Sequence, residues 1–234
     1  MPAAVLFFTA PFVAEFLLGN LPLKLLPAMV LLAPMYGGGA LLIRELARGA
    51  GRGWPSMLLL GAAYTLVEEG FVTQSLFNHD YLRMQMHLLD HAYVGALGMS
   101  AWWTLFMFNL HTFWSIGVSI ALVEATVPER AEGPWMGRVG RWIVAVVFFA
   151  GVGANFAFTR GQEHFQASAV QWLATGVVCG LLVVCAFLLP RRERTGSRAV
   201  APAWLVAVAL LGGFAVLMIP PRWNWGAVGA MFAV

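Results

Sequence analysis

Apolar runs of roughly twenty residues alternate with short polar connections along most of the chain. A membrane-crossing helix needs about 20 mostly apolar residues. By that measure the runs near 4–20, 26–46, 54–78, 101–125, 140–160, 168–190 and 201–220 are expected to be seven spanning helices. Between the third and fourth runs lies "HDYLRMQMHLLDHAYVGAL", His79 to Leu97. Wound as a helix, it puts Asp80, Arg83, His87, Asp90 and His91 on one narrow polar stripe. Residues 80–94 therefore read as an amphipathic helix lying in the membrane interface. The last run, Trp223 to Val234, is too short to cross and reads as an interfacial or re-entrant piece. The expected fold class is all-α: a polytopic transmembrane helical bundle of seven spans plus a short C-terminal apolar segment, one integral membrane domain over residues 1–234.

Composition narrows the class further. The chain is 60% hydrophobic and 11% charged, with a mean hydropathy of +0.77, whereas soluble domains carry about 25% charged residues. The net charge of +3 does not point to nucleic acid. The basic residues sit in short loops, and no nucleic-acid-binding motif occurs; the partner implied is the lipid bilayer. Arg44, Arg48, Arg52, Arg130, Arg138, Arg141, Arg191, Arg192, Arg194 and Arg198 fall in alternate loops, while the loops between them carry only Lys24, Arg83, Arg160 and Arg222. The positive-inside rule then puts the N-terminus in the cytoplasm of a multi-pass cell-membrane protein. No basic stretch precedes the first run, and Glu15 interrupts it, so a span is expected there rather than a cleavable signal peptide. Cys179 and Cys185 lie on different faces of one helix and read as small buried hydrophobes. "YGGGA" (Tyr36 to Ala40) and "GAA" (Gly61 to Ala63) offer small faces for close helix packing. Trp54, Trp102, Trp103, Trp142, Trp223 and Trp225 sit near span ends, as interfacial anchors do.

Against this background "YTLVEEGFVTQ", Tyr64 to Gln74, is anomalous. One ionisable group at the bilayer centre costs roughly 2.5–3.5 kcal/mol on insertion scales, and Glu68 and Glu69 are two. His111 lies near the middle of the fourth run. Adjacent helical residues point about 100° apart, so Glu68 is expected to align with Tyr64 and Ser75, and Glu69 with Thr65 and Thr73. Carboxyls buried together repel, and a shared proton relieves the repulsion. An acid and a carboxylate beside an imidazole can perform general acid–base chemistry. Glu68, Glu69 and His111 are thus the candidate catalytic residues. Gln74, Asn109, Ser115, Glu15 and Asn155 are candidate binding groups, although Glu15 alone reads as structural. Arg44 with Glu45, and Glu124, read as snorkelling or interfacial groups. The candidate metal ligands are His111, Glu69 and His164, and separately His87 and His91 in "HLLDH", for a divalent ion such as zinc. The amphipathic stripe explains that second pair without a metal.

A Glu-Glu pair in one span followed by a lone His in a later one resembles the CPBP (Abi or CAAX-prenyl-protease-like) intramembrane endopeptidases. The resemblance implies a multi-helix bundle in which Glu68, Glu69 and His111 activate water, with or without a metal. His164 with Ser168 would stand for that family's last motif. Thr73 occupies its Arg position, and Met107 the Phe position four before the His. "EEGFVTQSLFN" with a following histidine span also resembles uncharacterised bacterial membrane proteins, which implies a prokaryotic plasma membrane. The first expectation is an intramembrane hydrolase acting on a membrane-embedded peptide. The alternatives are a proton- or cation-coupled transporter or channel for a small solute, and a non-catalytic scaffold.

Overall fold

A computed structural model of the chain describes residues 1–81, 87–191 and 211–233. Eight α-helices dominate these residues: α1 (Pro2–Pro11), α2 (Met29–Gly49), α3 (Trp54–Thr65), α4 (Ala101–Asn109), α5 (Ser119–Thr126), α6 (Arg138–Gln162), α7 (Ala169–Leu188) and α8 (Trp225–Ala233). A two-residue hairpin, β1 (Tyr93–Val94) with β2 (Met99–Ser100), precedes α4. The class is all-α.

Four helices among the described residues are long and apolar enough to cross a membrane, not seven: Leu23–Gly49, Ala101–Thr126, Arg138–Gln162 and Ala169–Leu188. The helix over Pro2–Leu17 is shorter. The third run stops being helical at Val72, and its two glutamates lower its hydropathy. The first half of the seventh run, residues 201–210, lies outside the described residues; 211–218 is helical.

Close packing sets how these helices meet. α2 packs on α1 and α6, and α3 packs on α7 and on the continuation of α4. At Gly37 an added Cβ would stand 1.9 Å from the Phe7 carbonyl oxygen, and at Gly151 one would stand 2.6 Å from the Met35 nitrogen. Backbone thus meets backbone on both sides of α2, and the Gly37 contact is the one that the small face of Tyr36 to Ala40 foretold. Pro34 interrupts the α2 hydrogen-bond ladder, and Asn155 Nδ2 donates to the Leu31 carbonyl in that turn at 3.0 Å. Asn155 therefore joins α6 to α2. α8 buries Ala227 and Met231 against Val216, Ile219 and the Trp102–Phe106 side of α4.

The expected interfacial helix over 80–94 is not seen where that stretch is described. Residues 82–86 lie outside the described residues. From His87 onward the chain turns, with His87 and Ala92 both at a φ of +50°, and then enters the hairpin. Leu88 and Leu89 pack into a core with Leu76, Phe77 and Trp103. Burial of these leucines overrides the helical period on which the stripe depends. His87 pairs with exposed Asp90 at 2.9 Å, whereas His91 lies edge-on to the Trp102 ring, so the two histidines share no helix face.

Arg44, Glu45, Arg48 and Glu124 are buried rather than snorkelling. Arg44 Nε and Arg48 Nη2 reach Glu124 at 2.9 and 2.7 Å, and Arg44 Nη1 reaches Glu45 at 2.8 Å. Arg44 Nη2 donates to the carbonyls of Arg130, Ala131 and Gly133, and the backbone N–H groups of Trp135 and Met136 donate to Glu45. The Trp135 ring lies 3.3 Å from the Arg44 guanidinium carbon. The loop before α6 wraps over these charges and removes them from water.

Candidate functional site: a buried carboxylate–imidazole centre

α1, α3 and α4 each continue into a π-helical segment: Phe12–Leu17, Leu66–Val72 and Leu110–Val118. Such segments are rare and frequent at functional sites. Here they carry Glu15, then Glu68 and Glu69, then His111 and Ser115. A π turn bonds i to i+5, so it rotates each residue through less than the 100° of an α-helix. That wider turn lets two consecutive glutamates address one partner, which an α-helical projection did not allow.

The partner is His111. Its Nε2 lies 3.0 Å from Glu69 Oε1, and its Nδ1 lies 3.1 Å from Glu68 Oε2. All three residues are at most 5% exposed. Ser115 Oγ stands 3.4 Å from the same Nδ1, one helical turn further along. Tyr36 and Tyr64 flank the ring.

Glu69 is anchored on its second oxygen. Thr73 Oγ1 donates to Oε2 at 2.9 Å, and Ser75 Oγ donates to the same atom. Trp103 Nε1 fills the acceptor side of Ser75 at 3.1 Å, and the Ser75 N–H fills that of Thr73 at 3.3 Å. Both hydroxyl hydrogens are thereby turned toward the carboxylate. Ser75 belongs to Glu69, not to Glu68, because the helix ends at Val72 and the chain folds back. Gln74 makes that reversal at a φ of +56°, and its buried Oε1 accepts the Ala167 N–H at 2.7 Å. Gln74 thus ties the end of this segment to the approach to α7.

Glu68 is placed differently. Tyr36 donates to its Oε1, while Oε2 has no hydrogen bond of good geometry despite its closeness to His111. The Tyr36 hydroxyl also contacts Glu15 Oε1 at 2.6 Å. Glu15 is therefore part of this cluster rather than an isolated structural acid. Two carboxyls share one imidazole and a third joins them through Tyr36, and among the described residues no Lys or Arg pairs with any of the three.

The remaining candidates lie elsewhere. Asn109 bonds Leu105 in its own helix. His164 is exposed between α6 and α7, and Ser168 caps α7 in a reciprocal pair with Gln171. Tyr36 and Trp103 are the members that sequence reasoning missed, and Ser75 is the one it gave to the wrong glutamate. The tyrosine adjoining three glycines was the available signal.

Glu68, Glu69 and His111 could hold a metal ion, since one ligand atom from each lies within 4.8 Å of the others. Two carboxylates and a neutral imidazole would offset a divalent charge, and zinc accepts such donors. Binding would draw an imidazole nitrogen away from the carboxylate it now faces.

Fold and site together define a helical membrane protein with a buried acidic–imidazole centre. A family model described as an uncharacterized membrane protein family matches residues 4–219, and the chain belongs to that family. No curated protein and no solved structure matches it. The likeness to the CPBP endopeptidases is one of residue order.

Proposed function

We propose that the chain is an intramembrane hydrolase whose acid–base centre is Glu68, Glu69 and His111. The observation that carries this reading is an imidazole faced at both nitrogens by carboxylates from a single π-helical segment. Glu69, held by Thr73 and Ser75, orients the ring, as the third group of a catalytic triad does. Glu68 takes a proton from water as the water oxygen attacks the scissile carbonyl carbon. His111, protonated at the outset, then delivers its proton to the leaving group as the scissile bond breaks, and the proton held by Glu68 passes to the imidazole and restores both groups. General acid–base catalysis of this kind contributes roughly 10²–10⁴-fold. The substrate class is an acyl bond in a membrane-embedded peptide. The Glu-Glu-then-His order of the CPBP endopeptidases supports the assignment. Thr73, where those enzymes carry Arg, departs from their pattern, although its hydroxyl still reaches Glu69.

Proton- or cation-coupled transport is the second reading. Near-complete burial of the centre and its surplus of acid favour it, since buried acids within spans commonly mark ion pathways.

The test reconstitutes the full chain in liposomes with membrane-embedded peptides and reads products by mass spectrometry. Cleavage by the wild type that Glu69→Gln and His111→Ala both abolish, at unchanged folded yield, is the expected result. Cleavage retained in both variants removes the centre from the chemistry. No cleavage, together with a proton or cation flux that Glu69→Gln abolishes, transfers the assignment to transport.

A further inference from the structure

The side-chain donors around the carboxylate–imidazole centre are committed, with one exception among the described residues. Thr73 and Ser75 give their hydrogens to Glu69, and Trp103 gives its ring N–H to Ser75. Tyr36 donates to Glu68, and Ser115 donates to the Leu110 carbonyl at 3.3 Å. The exception is Tyr64. Its side chain is buried, yet its hydroxyl has no hydrogen-bond partner among the described residues. Buried tyrosine hydroxyls usually find a partner, and a buried donor left without one costs stability. Phenylalanine at this position would avoid that cost.

The ring itself is seated firmly. Its centre lies 6.0 Å from that of Tyr36, 6.1 Å from Phe148 and 6.4 Å from His111. At Gly39 an added Cβ would stand 2.6 Å from Tyr64 Cε2, so the glycine makes the space in which the ring lies. The hydroxyl faces Glu68, one turn further along, without completing a bond to it. Glu68 Oε2 is likewise unsatisfied, although His111 Nδ1 is 3.1 Å away. A donor and an acceptor, both unsatisfied, thus stand beside one imidazole. They match the two oxygens that a carbonyl carbon carries once water has added to it. One of those oxygens is negative and accepts a hydrogen bond; the other bears hydrogen and donates one.

We propose that Tyr64 is a further catalytic residue, the donor that stabilises the oxyanion formed on the scissile carbonyl oxygen. The assignment rests on the hydrolase reading, which has a base, an orienting group and an acid but no donor to that oxygen. As the water oxygen bonds to the carbonyl carbon, one water O–H bond breaks and its proton goes to Glu68. The carbonyl π pair moves onto oxygen, where Tyr64 donates a hydrogen bond and keeps its own proton throughout. When the pair returns, the carbon–nitrogen bond breaks and the nitrogen takes the proton held by His111. A fixed donor in a site closed to water acts on charge as it develops, without having to reorganise first.

Tyr64→Phe, which removes only the hydroxyl, tests this in the full chain reconstituted in liposomes. With a peptide that the wild type cleaves, kcat is expected to fall roughly 10²–10³-fold, with KM within about threefold of the wild-type value. The melting temperature should be unchanged or raised, because an unsatisfied donor leaves the interior. The same peptide with a phosphinate in place of the scissile amide is a stable tetrahedral anion. It should bind the variant at least about tenfold more weakly than the wild type. A hydroxyl that serves packing alone would instead lower the melting temperature and leave kcat and phosphinate binding as they are, which overturns the proposal. Gly39→Ala, which crowds the ring and displaces the hydroxyl, carries the comparison should Tyr64→Phe fail to fold, with the same fall in kcat expected. Wild-type turnover in the folded variant overturns the role of Tyr64 and leaves the hydrolase reading standing. No cleavage by the wild type overturns both.

Discussion

Two buried polar clusters share helix α2 and follow opposite rules. Tyr36 and Arg44 are eight residues apart, ~12 Å along the axis. Around Arg44, two arginines meet two glutamates, and the Arg44 guanidinium and the Glu45 carboxylate are satisfied on every side. Around Tyr36, two carboxyls meet a single imidazole, a third meets the tyrosine hydroxyl, and Glu68 Oε2 is left without a well-formed bond. The first cluster is neutral and closed, and it holds a loop in place. The second has an acid surplus that only protons or a cation can offset. Stability selects the first kind of arrangement, so the second requires another reason, and the proposed acid–base function would supply one.

The largest expected effect would break this contrast from the structural side. Arg44→Met leaves Glu45 and Glu124 short of their buried partner and uncovers three carbonyls, and it should cost about 3–5 kcal/mol. Thermal unfolding in detergent measures the loss; a cost below about 1 kcal/mol would erase the distinction between the clusters. From the functional side, Glu69→Gln should lower turnover by roughly 10²–10⁴ while shifting the melting temperature far less than Arg44→Met does.

The sharper comparison is one of sign. Glu45→Gln gives up a charge-assisted bond and should destabilise by about 1.5–3 kcal/mol. Glu68→Gln removes part of the acid surplus and should leave stability unchanged or raise it by up to about 1 kcal/mol, as relief of like-charge repulsion requires. Equal losses in the two variants would show that both clusters are structural. The smallest effect belongs to a control outside both. Asn155→Ala should cost about 1 kcal/mol through its bond to the Leu31 carbonyl, with turnover unchanged.

Much of this was legible before any coordinates. Glu68, Glu69 and His111 stood out because ionisable groups within apolar runs are costly enough to need a purpose. The glycines of "YGGGA" announced a close helix contact, and Gly37 makes one. Glu15 was legible as a candidate binding group, but its partner was not. Its link runs through Tyr36, and a tyrosine in an apolar run raises no comparable signal. The stripe of Asp80, His87, Asp90 and His91 misled for the opposite reason. Its period fitted a helix, but Leu88 and Leu89 gain more by entering the core beside Trp103 than the stripe gains at an interface.

The sequence by itself determined the class and the cast. Hydropathy over a fixed membrane thickness decides that the chain is a helical membrane protein, and the cost of burying charge marks the residues that need explaining. Only the tertiary structure decided who meets whom. The π-helical segments turn Glu68 and Glu69 toward one histidine, and the glycine contact brings Glu15 to Tyr36. The loop before α6 converts surface charges into a sealed ionic cluster. These outcomes depend on small rotations within helices and on contacts between residues as far apart as Arg44 and Glu124. Periodicity fixes neither, because it records only each residue's position on its own helix.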